Sequence, residues 1–393
     1  MLILAVPICL VAALVFHEWQ AWRTREWVHE QRRVASFQYA GEPALQERLH
    51  LRATENRRLK AAFGLDNSLT TKNPSAHKAF LATASRILNG NRSWEQLYAV
   101  AEGFLKGELE IAAENSKSTL RLAESVRCMV LAVVLFDSFG VDPVATPRSH
   151  LVTITDEINK QWLQSKCHPD NVIPSQGLNE TVASLSITSP EHTPLPPPQV
   201  LSILMPQYET LWRVVLLTFV TAYHHQPAAC HDTIQRTAAV PSCLGNPALE
   251  KDALKLAKEG LRLYPSNKHL YRSRNPTPNS PTSPATSSPP AAADLSALHR
   301  HPSIWGRDAL AFRPSRFDDG QLTALQHEAY IPFSVKPHKC PAAGNAFGER
   351  MVAVLVVALG RELGPGNGRA DFGEGVVKGW RWGEEGGIED GKG

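Results

Sequence analysis

The sequence predicts a mainly α fold with a small β component. Three observations predict it: apolar residues recur at helical spacing over long stretches, strand-like alternation is confined to short runs, and the 29 prolines cluster in interrupting segments. The 393 residues allow a sizeable core, and hydrophobic and charged shares of 43% and 20% exclude a wholly disordered, collagenous or coiled-coil chain. Lys and Arg number 41 against 38 Asp and Glu, a net charge of +3 that is too small to attract a polyanion, so nucleic acid is not an expected partner. The six cysteines (Cys9, Cys128, Cys167, Cys230, Cys243 and Cys340) form no CxxC pair, which argues against a disulfide framework or a zinc ribbon.

Taken in order, residues 1–16 carry no charged side chain. As a helix rising about 1.5 Å per residue they would reach roughly 24 Å, somewhat short of a hydrocarbon core of about 30 Å, so that spanning needs help from the flanks. Trp19, Trp22 and Trp27 follow as interfacial rings, with Arg23, Arg25, Arg32 and Arg33 on the same side. Residues 1–17 are therefore expected to be a single-pass membrane anchor with the body in the cytoplasm; a cleaved signal or a buried helix are the alternatives. On that topology the sequons at Asn91 and Asn179 stay unmodified.

Residues 18–272 read as a helical body: amphipathic helices to about residue 58 with a break at Gly41-Glu42-Pro43, turns over 61–71, then helices over 74–88, 94–113 and 118–139. The Ser/Thr/Pro-rich stretch 167–200 reads as a loop, 200–223 as an apolar helix and 247–263 as an amphipathic one. Residues 273–293 form a low-complexity insert unable to bury enough surface to order itself, 294–360 the segment that carries the chemistry, with a helix from about residue 344 to 359, and 361–393 a mobile Gly/charge-rich tail.

Three motifs stand in order toward the C-terminus. Glu259-Gly-Leu-Arg262-Leu-Tyr-Pro places an acid and a base three apart on one helix face, a spacing that alone usually marks a solvated surface pair. His301-Pro-Ser-Ile-Trp-Gly leads to Phe312-Arg-Pro-Ser-Arg316-Phe. Phe333-Ser-Val-Lys-Pro-His338-Lys-Cys340-Pro-Ala then precedes an apolar helix. As an ordered set, over residues 247–359, they resemble the haem-thiolate cytochrome P-450 monooxygenases, most closely fungal members. Pro206-Gln-Tyr-Glu209-Thr210 is similar to that family's oxygen-side helix motif.

The resemblance implies a cytochrome P-450-like fold with an abbreviated N-terminal region, haem b as cofactor, and Cys340 as axial ligand of the iron. It implies that Phe333 and His338 flank the haem, that Glu259, Arg262 and Arg316 support the cysteine loop structurally, and that Glu209 and Thr210 deliver protons. His77-Lys78 falls where the family binds a haem propionate. The implied activity is oxidation of a lipophilic small molecule, in specialised metabolism, with O2 and electrons from an NADPH-dependent reductase, on the endoplasmic reticulum membrane. A degenerate non-catalytic relative, or a membrane-tethered helical scaffold without haem, are the alternatives.

The chemistry has its own rationale. A thiolate donates strongly to ferric iron and favours O–O cleavage. A helix N-terminus and a lysine such as Lys339 would favour the anionic sulfur. A phenylalanine on the loop would exclude water from it, while a helix threonine is as often bonded to its own backbone. His224-His225 and Cys230-His231 are weaker as a metal site, because adjacent residues diverge on a helix. Two departures stand out: Lys336 occupies the family's loop glycine, a strained place for lysine if φ is positive, and Pro206-Gln207 replace small residues on the oxygen side.

Overall fold

A computed structural model describes residues 2–90, 92–114, 120–169, 171–189, 191–225, 233–234, 236, 247–274 and 289–364. Asn91, Cys230, His231, most of the low-complexity insert and the tail beyond residue 364 lie outside the described residues.

The first helix, α1 (Leu2–Ala35), is unbroken across the boundary expected at residue 17. Its C-terminal part docks through buried Val28, Val34 and Ala35, whereas Val11, Leu14, Val15, Phe16, Trp19 and Trp22 stay exposed. Then come α2 (Leu45–Glu55), α3 (Arg57–Phe63), α4 (Pro74–Leu88), α5 (Trp94–Glu114), α6 (Leu122–Phe139), α7 (Arg148–Cys167), α8 (Gln176–Ser184), α9 (Pro197–Val220) and α10 (Pro247–Leu263). Asn73 caps α4, its Oδ1 accepting from Ser75 and Ala76 N–H, and Pro74 fills the first helical position where no N–H is needed.

Two elements fall where the sequence pattern assigned none. The α7 helix covers a span with no clear periodicity, and α8 lies inside the stretch expected to be a loop. Ser175 makes α8 possible by accepting from Leu178 N–H at 3.1 Å, and Leu178 and Val182, four apart, bury the inner face.

The sheet consists of β1 (His269–Arg272) and β2 (Ala291–Asp294), antiparallel with His269 opposite Asp294 and Arg272 opposite Ala291. Thus β2 starts inside the segment expected to be low-complexity insert; pairing with β1 and packing against α1 supply the burial its alanines lack alone. Three short helices follow, α11 (Leu295–Arg300), α12 (Pro302–Trp305) and α13 (Ala324–Ala329), and then, after a 3₁₀ turn, the 17-residue α14 (Phe347–Leu363).

The core is a helical stack. Helix α14 packs on α10, α5 and α9, and α6 packs on α9, α5 and α7. Residues Met351 to Gly360 of α14 are buried without exception, which explains their uninterrupted apolar run. Among the described residues, Pro341–Leu363 is long and apolar enough to cross a membrane; 56% of its window is buried inside the protein, so its hydropathy is that of a core helix.

Candidate functional site

The cysteine loop connects α13 to α14. Thr323 and Gln326 form a reciprocal capping box at the start of α13. Beyond it the backbone turns tightly: Ser334 N–H donates to Ile331 O at 3.0 Å and Cys340 N–H to Phe333 O at 2.9 Å, tying the two ends of the motif together. The left-handed residue is Ser334, at φ 60°, not Lys336, so the lysine in the glycine position brings no backbone strain. The Phe333 ring lies over the first turn of α14 where Gly348 has no side chain; a Cβ there would sit 2.6 Å from the ring.

Part of the Cys340 residue is exposed, yet burial around the sulfur pushes the thiol up from its usual 9.0, against the lowering effects of the Ala342 N–H and the Arg52 charge. The expected helix N-terminus and Lys339 are not the groups facing the sulfur. A 3₁₀ segment, Pro341–Ala346, with left-handed Asn345 and Ala346, stands between Cys340 and α14, Lys339 is exposed, and the charge acting on the sulfur is Arg52 of α2.

Around the sulfur the fold gathers three arginines and two histidines. His338 is buried, its ring 5.3 Å from that of Phe37 and 5.4 Å from that of His77. Arg52 Nη1 lies 3.5 Å from His338 Nδ1, and the Arg272 guanidinium is 4.7 Å above the Phe37 ring. Burial, reinforced by the neighbouring charges, pushes Arg272 down to about 9 and His338 to about 3; burial takes Arg52 to about 10, with the Cys340 sulfur opposing. Among the described residues no carboxylate forms an ion pair with Arg48, Arg52 or Arg272, and Arg48 Nε, Arg272 Nε, His77 Nδ1 and His338 Nε2 are buried without a hydrogen-bond partner.

Such a cluster is costly unless an anion joins it. His77 belongs to it while Lys78 is exposed. Arg48, Arg52 and Arg272 escaped the sequence reading. One signal was available: Arg48 and Arg52 are like charges four apart, a spacing that a solvated helix face disfavours.

Glu259, Arg262 and Arg316 meet in a second, fully buried cluster. Arg262 holds Glu259 bidentately at 2.7 and 2.8 Å, and Arg316 Nε lies 3.4 Å from Glu259 Oε1. What they pin directly is the segment 299–316. Arg262 Nη1 donates to His299 O and Ala309 O, both at 2.7 Å, Arg313 N–H donates to Glu259 Oε1 at 2.8 Å, and Arg316 Nη1 donates to Trp305 O at 2.9 Å. The link to the cysteine loop is one step removed, through Ile331 N–H, which donates to His299 Nε2 at 3.1 Å.

That bond requires neutral His299, and burial with the adjacent Arg262 and Arg300 charges pushes this group down from 6.5 to about 3. The unfolded chain therefore binds a proton below about pH 6.5 that the folded chain refuses, and stability must fall as pH drops from there toward 3, by up to about 1.4 kcal/mol per pH unit from this group. Urea midpoints measured at pH 7 and pH 5 should show the loss, and His299→Asn should flatten it; an unchanged pH dependence in that variant would contradict the assignment.

Glu209 and Thr210 sit on α9, and the hydrogen bonds of both stay on that helix. Thr210 Oγ1 donates to Pro206 O at 2.9 Å; Glu209 pairs with Arg213 and accepts from Trp212 Nε1 at 3.3 Å. The structure thus brings together Cys340, Phe333 and His338 at one place and Glu259, Arg262 and Arg316 at another, without a bond from Glu209 or Thr210 to either.

Comparison with known proteins matches residues 292–361 to the cytochrome P-450 family. The chain is 46% identical over 63 residues to cytochrome P-450 714A2 of Arabidopsis thaliana, 35% over 78 residues to 7-deoxyloganic acid hydroxylase of Catharanthus roseus, and 44% over 55 residues to benzoate 4-monooxygenase of Aspergillus niger. These alignments cover 16%, 19% and 14% of this chain and only 12%, 15% and 11% of those proteins. The residues present fit the family's haem: a cysteine for the iron stands beside buried, unpaired arginines and histidines suited to a dianion's carboxylates.

Proposed function

We propose, from the premise that this chain belongs to the cytochrome P-450 family, that it is a haem-thiolate monooxygenase that oxidises a lipophilic small molecule, with electrons from an NADPH-dependent reductase. The observation that carries this is the convergence of the Cys340 sulfur with the guanidinium groups of Arg48, Arg52 and Arg272, which no carboxylate pairs among the described residues, and with the buried imidazoles of His77 and His338. Bound haem would supply the iron at which O2 is activated.

The chain's own residues would do the rest. Cys340 would donate its sulfur to the iron, and the cation cluster would hold the two carboxylates and lose its burial penalty in doing so. Phe333, seated over Gly348, would keep water from the sulfur. Glu259, Arg262 and Arg316 would hold the 299–316 segment that backs the loop. Glu209 and Thr210 would move protons on the opposite side.

Exposed Val11, Leu14, Val15, Phe16, Trp19 and Trp22 on α1 support the membrane anchor, with the body on the cytoplasmic side of the endoplasmic reticulum. An open cleft of about 590 Å³ beside the loop presents Arg32, Lys336 and Lys339, a basic face suited to an acidic reductase surface. The names of two relatives, a 7-deoxyloganic acid hydroxylase and a benzoate 4-monooxygenase, suit a small-molecule substrate, which we assign to specialised metabolism. The test is the spectrum of the reduced, carbon monoxide-treated protein. A Soret band displaced to the long wavelength of thiolate ligation is the expected result, and a colourless folded preparation would end the reading.

One observation favours a second reading, haem binding without turnover: the polar groups of Glu209 and Thr210 are already engaged within α9. Stoichiometric haem with no substrate-dependent NADPH consumption would select it.

A further inference from the structure

A proline at position 206 has no N–H to give to the carbonyl of residue 202, and its ring crowds the same turn. Yet α9 runs through it as a single helix of 24 residues, and Ser202 is buried. A buried carbonyl without a donor is costly, so something must replace the missing N–H. The replacement comes from 135 positions away in the chain: Asn67 Nδ2 donates to Ser202 O at 3.0 Å.

The Asn67 side chain is 1% exposed, and its orientation is set by its other end, since Oδ1 accepts from Leu69 N–H at 2.9 Å. The Asn67 carbonyl in turn accepts from Thr70 and Thr71 N–H, so the whole turn over residues 65–71 is built around this one residue. A second bond adds to the seam, with Asp66 N–H donating to Ser202 Oγ at 2.9 Å. On α9 itself, Gln207 Nε2 reaches back to Ile203 O at 3.2 Å, covering the next carbonyl along. The helical turn that these amides complete is the one whose Pro206 carbonyl receives the Thr210 hydroxyl.

We propose that Asn67 is a positioning residue for the oxygen-side helix: its amide substitutes for the N–H absent at Pro206 and locks the 65–71 turn against α9, fixing the turn that carries Glu209 and Thr210. The functional part rests on the monooxygenase reading above; the structural part does not. A rescue experiment separates them. Asn67→Ser retains a short oxygen for Leu69 N–H but cannot span to Ser202, whereas Pro206→Ala restores a backbone N–H at the gap.

In the full-length protein, Asn67→Ser should lower the thermal unfolding midpoint, and the double variant should recover most of that loss. An equal loss in both backgrounds would overturn the lock. In haem-loaded protein, imidazole affinity at the ferric iron should change at least severalfold in Asn67→Ser and return in the double variant. An affinity that stays constant while the midpoint falls would overturn the positioning role. Should the protein take up no haem, the monooxygenase reading fails, and the unfolding cycle still decides whether Asn67 completes α9.

Discussion

Replacing Cys340 by serine is expected to abolish the long-wavelength carbon monoxide band while leaving the helical fold intact. Cys340 is exposed and is not part of the packed core, so losing its sulfur removes little burial. The loop keeps its shape through the Cys340 N–H bond to Phe333 O, a backbone interaction that serine preserves. A hydroxyl is a poor donor to ferric iron beside a thiolate, so haem uptake should fall sharply and any bound pigment should lose the thiolate signature. Retention of wild-type absorbance in Cys340→Ser would refute the assignment of this residue as ligand. Circular dichroism on the same sample separates loss of ligand from loss of fold.

The parts of this site legible from sequence are those whose partners lie nearby in the chain. Cys340 and Phe333 are seven residues apart and Glu259 and Arg262 three, short motifs that a family resemblance can match as sets although neither spacing is informative alone. Helix α4 was legible for the same reason, since Asn73-Pro74 is a cap whose chemistry is complete within one turn. Arg48, Arg52 and Arg272 were not, because each is an ordinary surface residue until α2 and β1 are folded against the cysteine loop. Charge supplied to the sulfur followed the same rule: Lys339 is adjacent in sequence and Arg52 is adjacent in space. The turn over 65–71 announced itself only as a turn; that Asn67 completes a helix 135 residues later is a tertiary fact. Within the 167–200 stretch a loop-like composition conceals α8, because two apolar residues and one serine cap suffice for it, while the described residues immediately on either side of it are irregular.

The largest stability effect should come from Arg262. Its guanidinium and the Glu259 carboxylate are both fully buried, the carboxylate is held at 2.7 and 2.8 Å, and the same guanidinium donates to His299 O and Ala309 O. It also lies 4.9 Å from the centre of the Trp305 ring. Arg262→Met keeps most of the volume but leaves the buried Glu259 carboxylate only its longer contact to Arg316 and the Arg313 N–H, and strands two carbonyls; breaking such a pair costs about 3–5 kcal/mol. Against a total stability of about 5–15 kcal/mol for a natural domain, that removes between about a fifth and all of the total.

Arg262→Lys should fall between the two, because a point charge cannot fork to a carboxylate and reach two carbonyls at once. An exposed pair supplies the control: Lys160 and Glu157 approach to 3.3 Å with the lysine largely in water, and Lys160→Ala should cost less than about 1 kcal/mol. The decisive variant is the double substitution Glu259→Gln, Arg262→Met. If the single change is severe because a charge is left unpaired, neutralising Glu259 must return part of the loss. If the cost arises because segment 299–316 loses its anchor, the double variant stays as unstable as the single one, since His299 O and Ala309 O remain without donors. Urea unfolding of wild type and the four variants distinguishes these outcomes, and an Arg262→Met midpoint matching wild type would show that this cluster does not hold the fold.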